Sequence, residues 1–355
     1  MADTVQNPLP NLSDFTLQEL EDFIAASGKE KYRARQIMKE LHQSGCLSFD
    51  AMTTLARDFR QTLAGAARIY RPSIVKIQKS KDGTQKVLLG LEDGLFIESV
   101  LIPGKNHWTL CISTQAGCAM GCTFCLTARQ GFKRNLTPAE IVGQVVTLKK
   151  ETPEGAAVGN IVMMGMGEPL ANYENTVKAI RILVSDFGLG FSSRRITVST
   201  CGLAPQILQL GRDICINLAV SLNAHDDETR SRLMPVNKKY PLAALLDACK
   251  QYPMPGRRML TYEYILIDGV NASRPDAEKL ARLLKDQRCK INLIVFNEYP
   301  DSPFKAPSAK DVSSFQQVLL DRHFTAMLRK SKGADILAAC GQLSGAYQNG
   351  ENPSE

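Results

Sequence analysis

The sequence has no run of 18 apolar residues, no internal repeat and no low-complexity segment. Its first residues, MADTVQNPLP, also lack the basic segment and apolar core of a secretory signal. A helix needs about 20 mostly apolar residues to cross a membrane, so the sequence predicts neither a membrane span nor export. We therefore expect a cytoplasmic protein, and its 355 residues are enough for one large domain and a smaller one.

Ten cysteines are present, and a chain of this size without an export signal is expected to keep them reduced. Cys215, Cys249 and Cys289 lie in apolar stretches and are predicted to be buried, because free cysteine commonly behaves as a small apolar residue. The other seven are Cys46, Cys111, Cys118, Cys122, Cys125, Cys201 and Cys340.

Cys118, Cys122 and Cys125 lie in the run GCAMGCTFC with C-x3-C-x2-C spacing. Three thiolates on one short loop can bind three irons of a [4Fe–4S] cluster and leave the fourth iron open to a substrate-like ligand. A structural zinc site and unligated thiols are the alternatives. Zinc knuckles usually pair two C-x2-C units and this chain has only one, so the spacing favours the cluster.

The first part of the chain predicts helices over residues 16–28, 30–45 and 49–65, because apolar residues recur there at intervals of three and four. We assign residues 1–75 to a small helical domain. Its segment KYRARQI carries three basic residues, which makes the domain a candidate RNA-docking element. Residues 76–103 are predicted to be a β-hairpin linker, because Asp93 and Gly94 supply a tight turn between two apolar runs.

Strands and helices then alternate, which predicts a parallel sheet. The predicted strands are TLCIST, NIVMMG, RRITVST, INLAVSL, LTYEYILI and KINLIVF. Six βα units are fewer than the eight of a closed barrel, so the expected fold class is α/β, a partial (β/α)6 barrel over residues 104–345. The helix after the cysteine motif begins with a capping box of Thr137 and Glu140. Residues 346–355 are expected to form a loose tail.

Glycine and polar residues follow the predicted barrel strands. After the second strand, Gly165 and Gly167 allow close backbone approach to a ligand, and Glu168 supplies a carboxylate. Ligands of parallel sheets bind at the carboxyl ends of the strands, so these residues and later strand-end residues are expected on one rim, although each could be a cap or turn residue. The later residues are Ser199, Ser221, Asn223 and Asn297.

The net charge of +7 permits contact with phosphate backbones without requiring it. Basic pairs recur next to predicted strand ends, which favours an RNA-facing rim over a merely solvated surface. The pairs are Arg194 with Arg195, Lys238 with Lys239, Arg257 with Arg258, and Lys330 with Lys332.

The cysteine spacing, placed between a strand and a helix and followed by Gly-Glu-Pro, resembles the radical S-adenosylmethionine (SAM) superfamily. Together with IESVLIP, RRITVST, PVNKKYP, CKINLI and AACGQLSG, these motifs resemble the RlmN family of adenine carbon-2 RNA methyltransferases over nearly the whole chain. The resemblance implies a [4Fe–4S] cluster, two SAM molecules per turnover, and methylation of adenosine 2503 in 23S rRNA and often of adenosine 37 in tRNA. An electron donor such as flavodoxin or ferredoxin is implied, and the sequence shows no dimer seam, so we expect a monomer.

The resemblance also assigns roles to individual residues. The three motif cysteines would ligate the cluster, Cys340 would carry the methyl group and Glu98 would accept the proton from carbon 2. Cys111 would attack the Cys340 sulfur to release the RNA, leaving a disulfide that a reductant must clear. The family usually has histidine at Asn223, so any role that needs a titrating imidazole is lost. The positions that contact SAM would be Gly167, Glu168, Ser199, Ser221, Leu222, Asn223 and Asn297.

Three alternatives stay open. Cfr-like methylation of carbon 8 uses the same cluster and the same extra cysteines, but Cfr-like proteins tend to have Gly-Glu-Ala where this chain has Gly-Glu-Pro. An electron-transfer protein would leave that motif and Cys340 without a purpose. An RNA-binding assembly factor would use only the helical segment.

Overall fold

A computed structural model of the chain describes residues 9–344. Its strands are β1 (Ser73–Lys79), β2 (Gln85–Gly90), β3 (Phe96–Pro103), β4 (Trp108–Cys111), β5 (Gln115–Gly117), β6 (Phe132–Asn135), β7 (Val158–Met163), β8 (Ile196–Thr200), β9 (Asn217–Ser221), β10 (Leu260–Leu266), β11 (Cys289–Val295) and β12 (Thr325–Arg329). Ten of them form one sheet in the order β1-β2-β3-β4-β7-β8-β9-β10-β11-β12, while β5 and β6 pair separately. Strands β1 to β4 are antiparallel neighbours, and the sheet is parallel from β4 to β12.

The parallel strands and the helices between them confirm the α/β class and the partial barrel. The six predicted barrel strands correspond to β4, β7, β8, β9, β10 and β11. The sheet also has a seventh parallel strand, β12, which the sequence pattern does not predict because only one of its five side chains is buried. The expected hairpin is present as β2 and β3, and β1 extends it to three strands.

The α-helices are α1 (Leu17–Ala26), α2 (Tyr32–Lys39), α3 (Arg57–Ala66), α4 (Leu126–Arg129), α5 (Pro138–Glu151), α6 (Pro153–Ala156), α7 (Tyr173–Val184), α8 (Ala204–Asp213), α9 (Asp227–Leu233), α10 (Leu242–Gln251), α11 (Arg274–Leu283) and α12 (Ala309–Asp321). Short 3-10 turns cover Leu12–Asp14, Phe49–Ala51, Ser193–Arg195, Pro235–Lys238 and Ala334–Ile336, and a π-turn covers Glu40–Ser44. None of the helices within residues 9–344 is long and apolar enough to span a bilayer.

The predicted N-terminal helices are present in modified form. The second continues as the π-turn and stops at Gly45, which has φ of 73°. The single helix predicted over residues 49–65 is wrong in its first half. Ser48 caps a 3-10 turn there, the backbone leaves helical geometry at Met52 with ψ of 65°, and α3 begins only at Arg57.

Helix α5 joins the N-terminal helices to the barrel. The Thr137 side chain accepts the Glu140 N–H at 3.3 Å and Glu140 accepts the Thr137 N–H at 2.9 Å, which confirms the predicted capping box. Asp14 accepts the N–H of Ala139 at 2.8 Å, tying the start of the chain to the same helix end. Most of α5 is buried, so one apolar core continues from the N-terminal helices into the sheet.

The cysteines are all free. Cys249 and Cys289 are buried as predicted. The same prediction for Cys215 is wrong, because this residue lies in the connection between α8 and β9, where its sulfur is exposed and contacts Arg258 at 3.6 Å. The expected tail over residues 346–355 and the first eight residues of the expected helical domain lie outside the described residues.

Candidate active site

The loop of residues 118–125, called the cysteine loop below, connects β5 to α4. Its three cysteines line one cavity of about 180 Å³. Main-chain hydrogen bonds fix both ends of the loop. Cys118 donates its N–H to the Gly131 carbonyl at 3.1 Å, and Thr123 donates to the Leu233 carbonyl at 2.9 Å. The three sulfur atoms are therefore carried by an anchored backbone.

The environment of these thiols suits a cluster. The surrounding protein raises the pKa of all three, that of Cys118 to about 12, so they need a cationic partner to ionise. Within residues 9–344, no three His, Cys, Asp or Glu side chains are gathered closely enough to hold a single metal ion. A cubane binds each cysteine at a different iron, so its ligands stand further apart than those of one zinc ion.

Glu168 lines the same cavity as the cysteine loop, and each oxygen of its carboxylate accepts one main-chain N–H. Its two oxygens accept N–H groups from Leu170 at 2.9 Å and from Cys201 at 2.7 Å. Burial raises the pKa of Glu168 despite these bonds. Gly167 has φ of 98°, and a Cβ there would lie 2.4 Å from Gln115, so only glycine allows this turn.

The strand-end residues divide between two cavities and the core. Ser199, Ser221 and Asn223 line the same cavity as the cysteine loop. Leu222 does not line it, being fully buried. Asn297 lines a second cavity and donates to the Cys340 carbonyl at 3.3 Å.

Asn223, at the position where the RlmN family usually has histidine, has φ of 58°. This is the left-handed region, which asparagine tolerates better than most residues. Its side-chain oxygen accepts the Ile265 N–H at 2.9 Å, and its carbonyl accepts from Asn271 at 2.8 Å. The amide therefore fixes the rim of the cavity between β9 and β10.

The second cavity, of about 260 Å³, adjoins the first, and Cys340 forms part of the wall of both. Cys111 lines only the second cavity. Cys340 is exposed, yet desolvation by the surrounding protein raises the pKa of its thiol to about 11. Burial raises the pKa of Cys111 further, and both cysteines line the second cavity.

Glu98 lines neither cavity and lies behind the segment that carries Cys340. It is buried on β3 and pairs with Lys86, whose Nζ lies 3.2 Å from its carboxylate. Its other oxygen accepts the Ser344 N–H at 2.7 Å. Burial raises the pKa of Glu98 in spite of the lysine. The structure thus brings Glu98 to the carboxyl-terminal segment and not to the cavities.

The expected disulfide between Cys111 and Cys340 is not present, because both residues carry free thiols.

Comparisons with known proteins decide the family. Residues 10–69 match the ribosomal RNA large subunit methyltransferase N-terminal domain, and residues 112–284 match the radical SAM superfamily. The chain is 65% identical over 335 residues to the dual-specificity RNA methyltransferase RlmN of Syntrophus aciditrophicus (strain SB), covering 94% of this chain and 96% of that protein. The chain belongs to the RlmN family.

Other RlmN relatives agree with this assignment. The dual-specificity RNA methyltransferase RlmN of Geobacter sulfurreducens is 53% identical over 335 residues, covering 94% of this chain and 92% of that protein. A crystal structure of a radical SAM methyltransferase from Sphaerobacter thermophilus superposes with a TM-score of 0.88 at 45% identity, covering 95% of this chain and 99% of that one. Radical SAM proteins of the RlmN family use a [4Fe–4S] cluster and SAM, the latter in two steps.

The structure of this RlmN-family chain adds residues that the motifs did not single out. Cys201 follows β8, lines the first cavity and holds Glu168 through its N–H. Glu263 lines both cavities, and Asn292 donates to it at 2.8 Å. The strand-end rule that selected Ser199 could have found Cys201. Glu263 and Asn292 lie within β10 and β11, where polar residues facing a barrel lumen carry no separate sequence signal.

Proposed function

We propose that this protein is a radical SAM RNA methyltransferase that methylates carbon 2 of adenosine 2503 in 23S rRNA and also adenosine 37 in tRNA. The observation that carries the proposal is the position of Cys340. Its thiol stands between a cavity lined by the cysteine loop and Glu168 and a cavity lined by Cys111. A cysteine in that position can receive a methyl group on one side and present it to a nucleic-acid base on the other.

The residues of the first cavity fit the cluster and SAM. Cys118, Cys122 and Cys125 would hold three irons, and Glu168 would take the ammonium group of SAM, an ammonium–carboxylate pairing. When bound, the cluster and SAM supply the radical chemistry that the electron-poor carbon 2 of adenine requires. The remaining SAM contacts would come from Gly167, Ser199, Ser221 and Asn223, which line this cavity, whereas Leu222 is fully buried and Asn297 lines the second cavity.

The second cavity fits a base on a phosphate backbone. Lys290, Arg329, Lys330 and Lys332 line it, and no other part of its wall is as strongly charged. Cationic side chains around an opening to a polar cavity favour an RNA segment with one nucleotide turned inward. The basic residues Lys31, Arg33 and Arg35 of the helical domain would add phosphate contacts, although Arg35 already lies 3.8 Å from Glu21.

The chain's own residues would then act in sequence. Cys340 would attack the methyl group of SAM as a thiolate, with S-adenosylhomocysteine as the leaving group. After loss of a hydrogen atom from this S-methyl group, its carbon would bond to carbon 2 of the base. Glu98 accepts the proton lost from carbon 2, which requires its carboxylate to exchange the Ser344 N–H for the substrate. Cys111 attacks the Cys340 sulfur, which releases the RNA and leaves a disulfide that two electrons from an external reductant convert back to two thiols.

Anaerobic reconstitution of the full chain with iron and sulfide, followed by assay on 23S rRNA and tRNA fragments, tests this function. We expect transfer of the SAM methyl group and, by mass spectrometry, 2-methyladenosine as the product. A product methylated at carbon 8 would establish the Cfr-like alternative instead. Failure of the reduced protein to cleave SAM to 5′-deoxyadenosine would favour a protein that only binds a cluster.

The relatives of this chain are RNA methyltransferases, which supports RNA as the substrate. We propose the electron donor, the oligomeric state and the location. A low-potential flavodoxin or ferredoxin would supply electrons, the protein would act as a monomer, and it would be cytoplasmic, where ribosomes and tRNA are found. Sedimentation of the reconstituted protein with and without RNA checks the monomer.

Replacing Glu168 with glutamine is expected to weaken SAM binding about 10- to 100-fold, because the amide keeps the shape but loses the charge that pairs with the ammonium group. Because burial raises the pKa of Glu168, SAM binding by the wild-type protein should strengthen as the pH rises through that raised pKa and weaken below it. Equilibrium dialysis with labelled SAM at several pH values measures both effects. Equal affinity of the two proteins at every pH would contradict the assignment.

Replacing Glu98 with glutamine is expected to lower the methylation rate about 10²- to 10⁴-fold, the usual loss on removing a general base. The base is active as a carboxylate, and burial raises its pKa, so wild-type activity should fall as the pH drops through a value above that of ordinary glutamate. Rates measured across pH test this, since the variant should lack that acidic limb. The exposed Glu92→Gln variant serves as the control.

A further inference from the structure

Arg230 is the largest side chain that is fully buried within residues 9–344. It lies on α9 and forms no ion pair with a carboxylate among those residues. Its guanidinium donates instead to oxygen atoms of neutral groups: the carbonyls of Cys201 at 2.7 Å, Ser221 at 3.1 Å and Leu222 at 3.1 Å, and the side chain of Asn237 at 2.9 Å. These four bonds engage at most four of its five N–H donors, and they leave its charge without an ion-pair partner.

A buried charge without a partner is costly, so a site that retains one commonly meets an opposite charge in its working state. The carboxylate of Asp227 is linked to Arg230 through Asn237, which donates to Asp227 at 2.9 Å and accepts from the guanidinium. Asp227 is in turn engaged by the Leu242 N–H at 2.8 Å. The missing anion therefore has to come from the other side of the guanidinium.

That other side is the cysteine loop. The carbonyl of Leu233, at the end of the helix that carries Arg230, accepts the N–H of Thr123 between two of the motif cysteines. Cys201 and Ser221, whose carbonyls Arg230 binds, line the same cavity as that loop. The cation and the thiols thus share one desolvated region.

We propose that Arg230 is the fixed counter-charge of the cluster and favours its reduced form. The inference rests on the proposed placement of the cluster on Cys118, Cys122 and Cys125. A [4Fe–4S]²⁺ core with three thiolates carries one net negative charge, and uptake of one electron makes it two. A buried cation nearby stabilises the more negative state more strongly, which raises the reduction potential.

The test is a redox titration of the reconstituted full chain, without RNA, followed by the electron paramagnetic resonance signal of the reduced cluster. In Arg230→Gln we expect the ratio of reduced to oxidised cluster at a fixed potential to fall about tenfold, which corresponds to 59 mV for a one-electron couple. Arg230→Lys keeps the charge and should stay within about threefold of wild type. Arg232→Gln removes an exposed arginine from the same helix and should change nothing.

A second variant keeps Arg230 in place. Exchanging Asp227→Asn together with Asn237→Asp conserves the net charge and moves the carboxylate into direct contact with the guanidinium, at the loss of the side-chain donation from residue 237 to the carbonyl of residue 227. This neutralises the arginine locally, so the reduced fraction should fall in the same direction as in Arg230→Gln. Iron and sulfide per chain and the circular dichroism of each variant establish that loop and cluster are intact.

An unchanged midpoint in either cluster-containing variant would overturn the inference. If Arg230→Gln takes up no cluster, the exchange variant decides alone. If neither Arg230→Gln nor the exchange variant takes up a cluster while Arg232→Gln does, Arg230 is needed for the cysteine loop to fold, and the counter-charge role is refuted. Absence of a cluster in the wild-type protein would refute the proposed function instead.

Discussion

Cys340→Ala is expected to reduce methylation of both RNA substrates to background, a loss of about 10⁴- to 10⁶-fold, as is usual when a covalent nucleophile is removed. Cys340 is the one cysteine within residues 9–344 that lines both cavities, which makes it the nucleophile best placed to receive the methyl group and present it to the base. Transfer of tritium from [methyl-³H]SAM to RNA measures the loss. Labelling of the protein itself should disappear in parallel.

The matched control is Cys215→Ala, because Cys215 is also exposed but lies between α8 and β9, away from both cavities. This variant should retain wild-type activity. Residual methylation by Cys340→Ala above a small percentage of wild type would show that the methyl group reaches carbon 2 by another route.

Cys111→Ala is expected to stop multiple turnover and to accumulate a covalent complex of protein and RNA. Without a neighbouring thiol to attack the Cys340 sulfur, the base stays attached through a carbon–sulfur bond, which thiol reductants do not cleave. Denaturing gel electrophoresis should show RNA moving with the protein, with up to one RNA per active chain. Because burial raises the pKa of Cys111, release by the wild-type protein should also quicken as the pH rises.

Cys289→Ala provides the comparison, because Cys289 is a similarly buried cysteine in a strand of the same sheet. It should turn over without a trapped complex. Normal turnover by Cys111→Ala with no adduct would remove Cys111 from the release step.

Much of the barrel could be predicted from the sequence because local signals agree with the fold. The Thr137–Glu140 box marks the start of α5, and apolar runs mark six parallel strands. The strand-end rule brought Glu168, Ser199, Ser221 and Asn223 to one cavity. These features depend on short-range pattern and on the common direction of parallel strands.

The rest depends on contacts between distant parts of the chain. Strand β12 is held by pairing with β11 rather than by burial, so it has no apolar pattern. Glu98 matched a motif, yet its place behind the carboxyl-terminal segment follows from its contacts with Lys86 and Ser344. The guanidinium of Arg230 donates to carbonyls at the ends of two strands, β8 and β9, that no spacing connects to it.

The segment that carries Cys340 is fastened to the cysteine loop region: Leu126 donates its N–H to the Gly341 carbonyl at 2.7 Å, and Thr127 donates its hydroxyl to the Leu343 carbonyl at 2.7 Å. These contacts join parts of the chain more than 200 residues apart. Docking of the segment that carries Cys340 and ordering of the region after the cysteine loop are therefore expected to be coupled, because each supplies hydrogen-bond partners to the other.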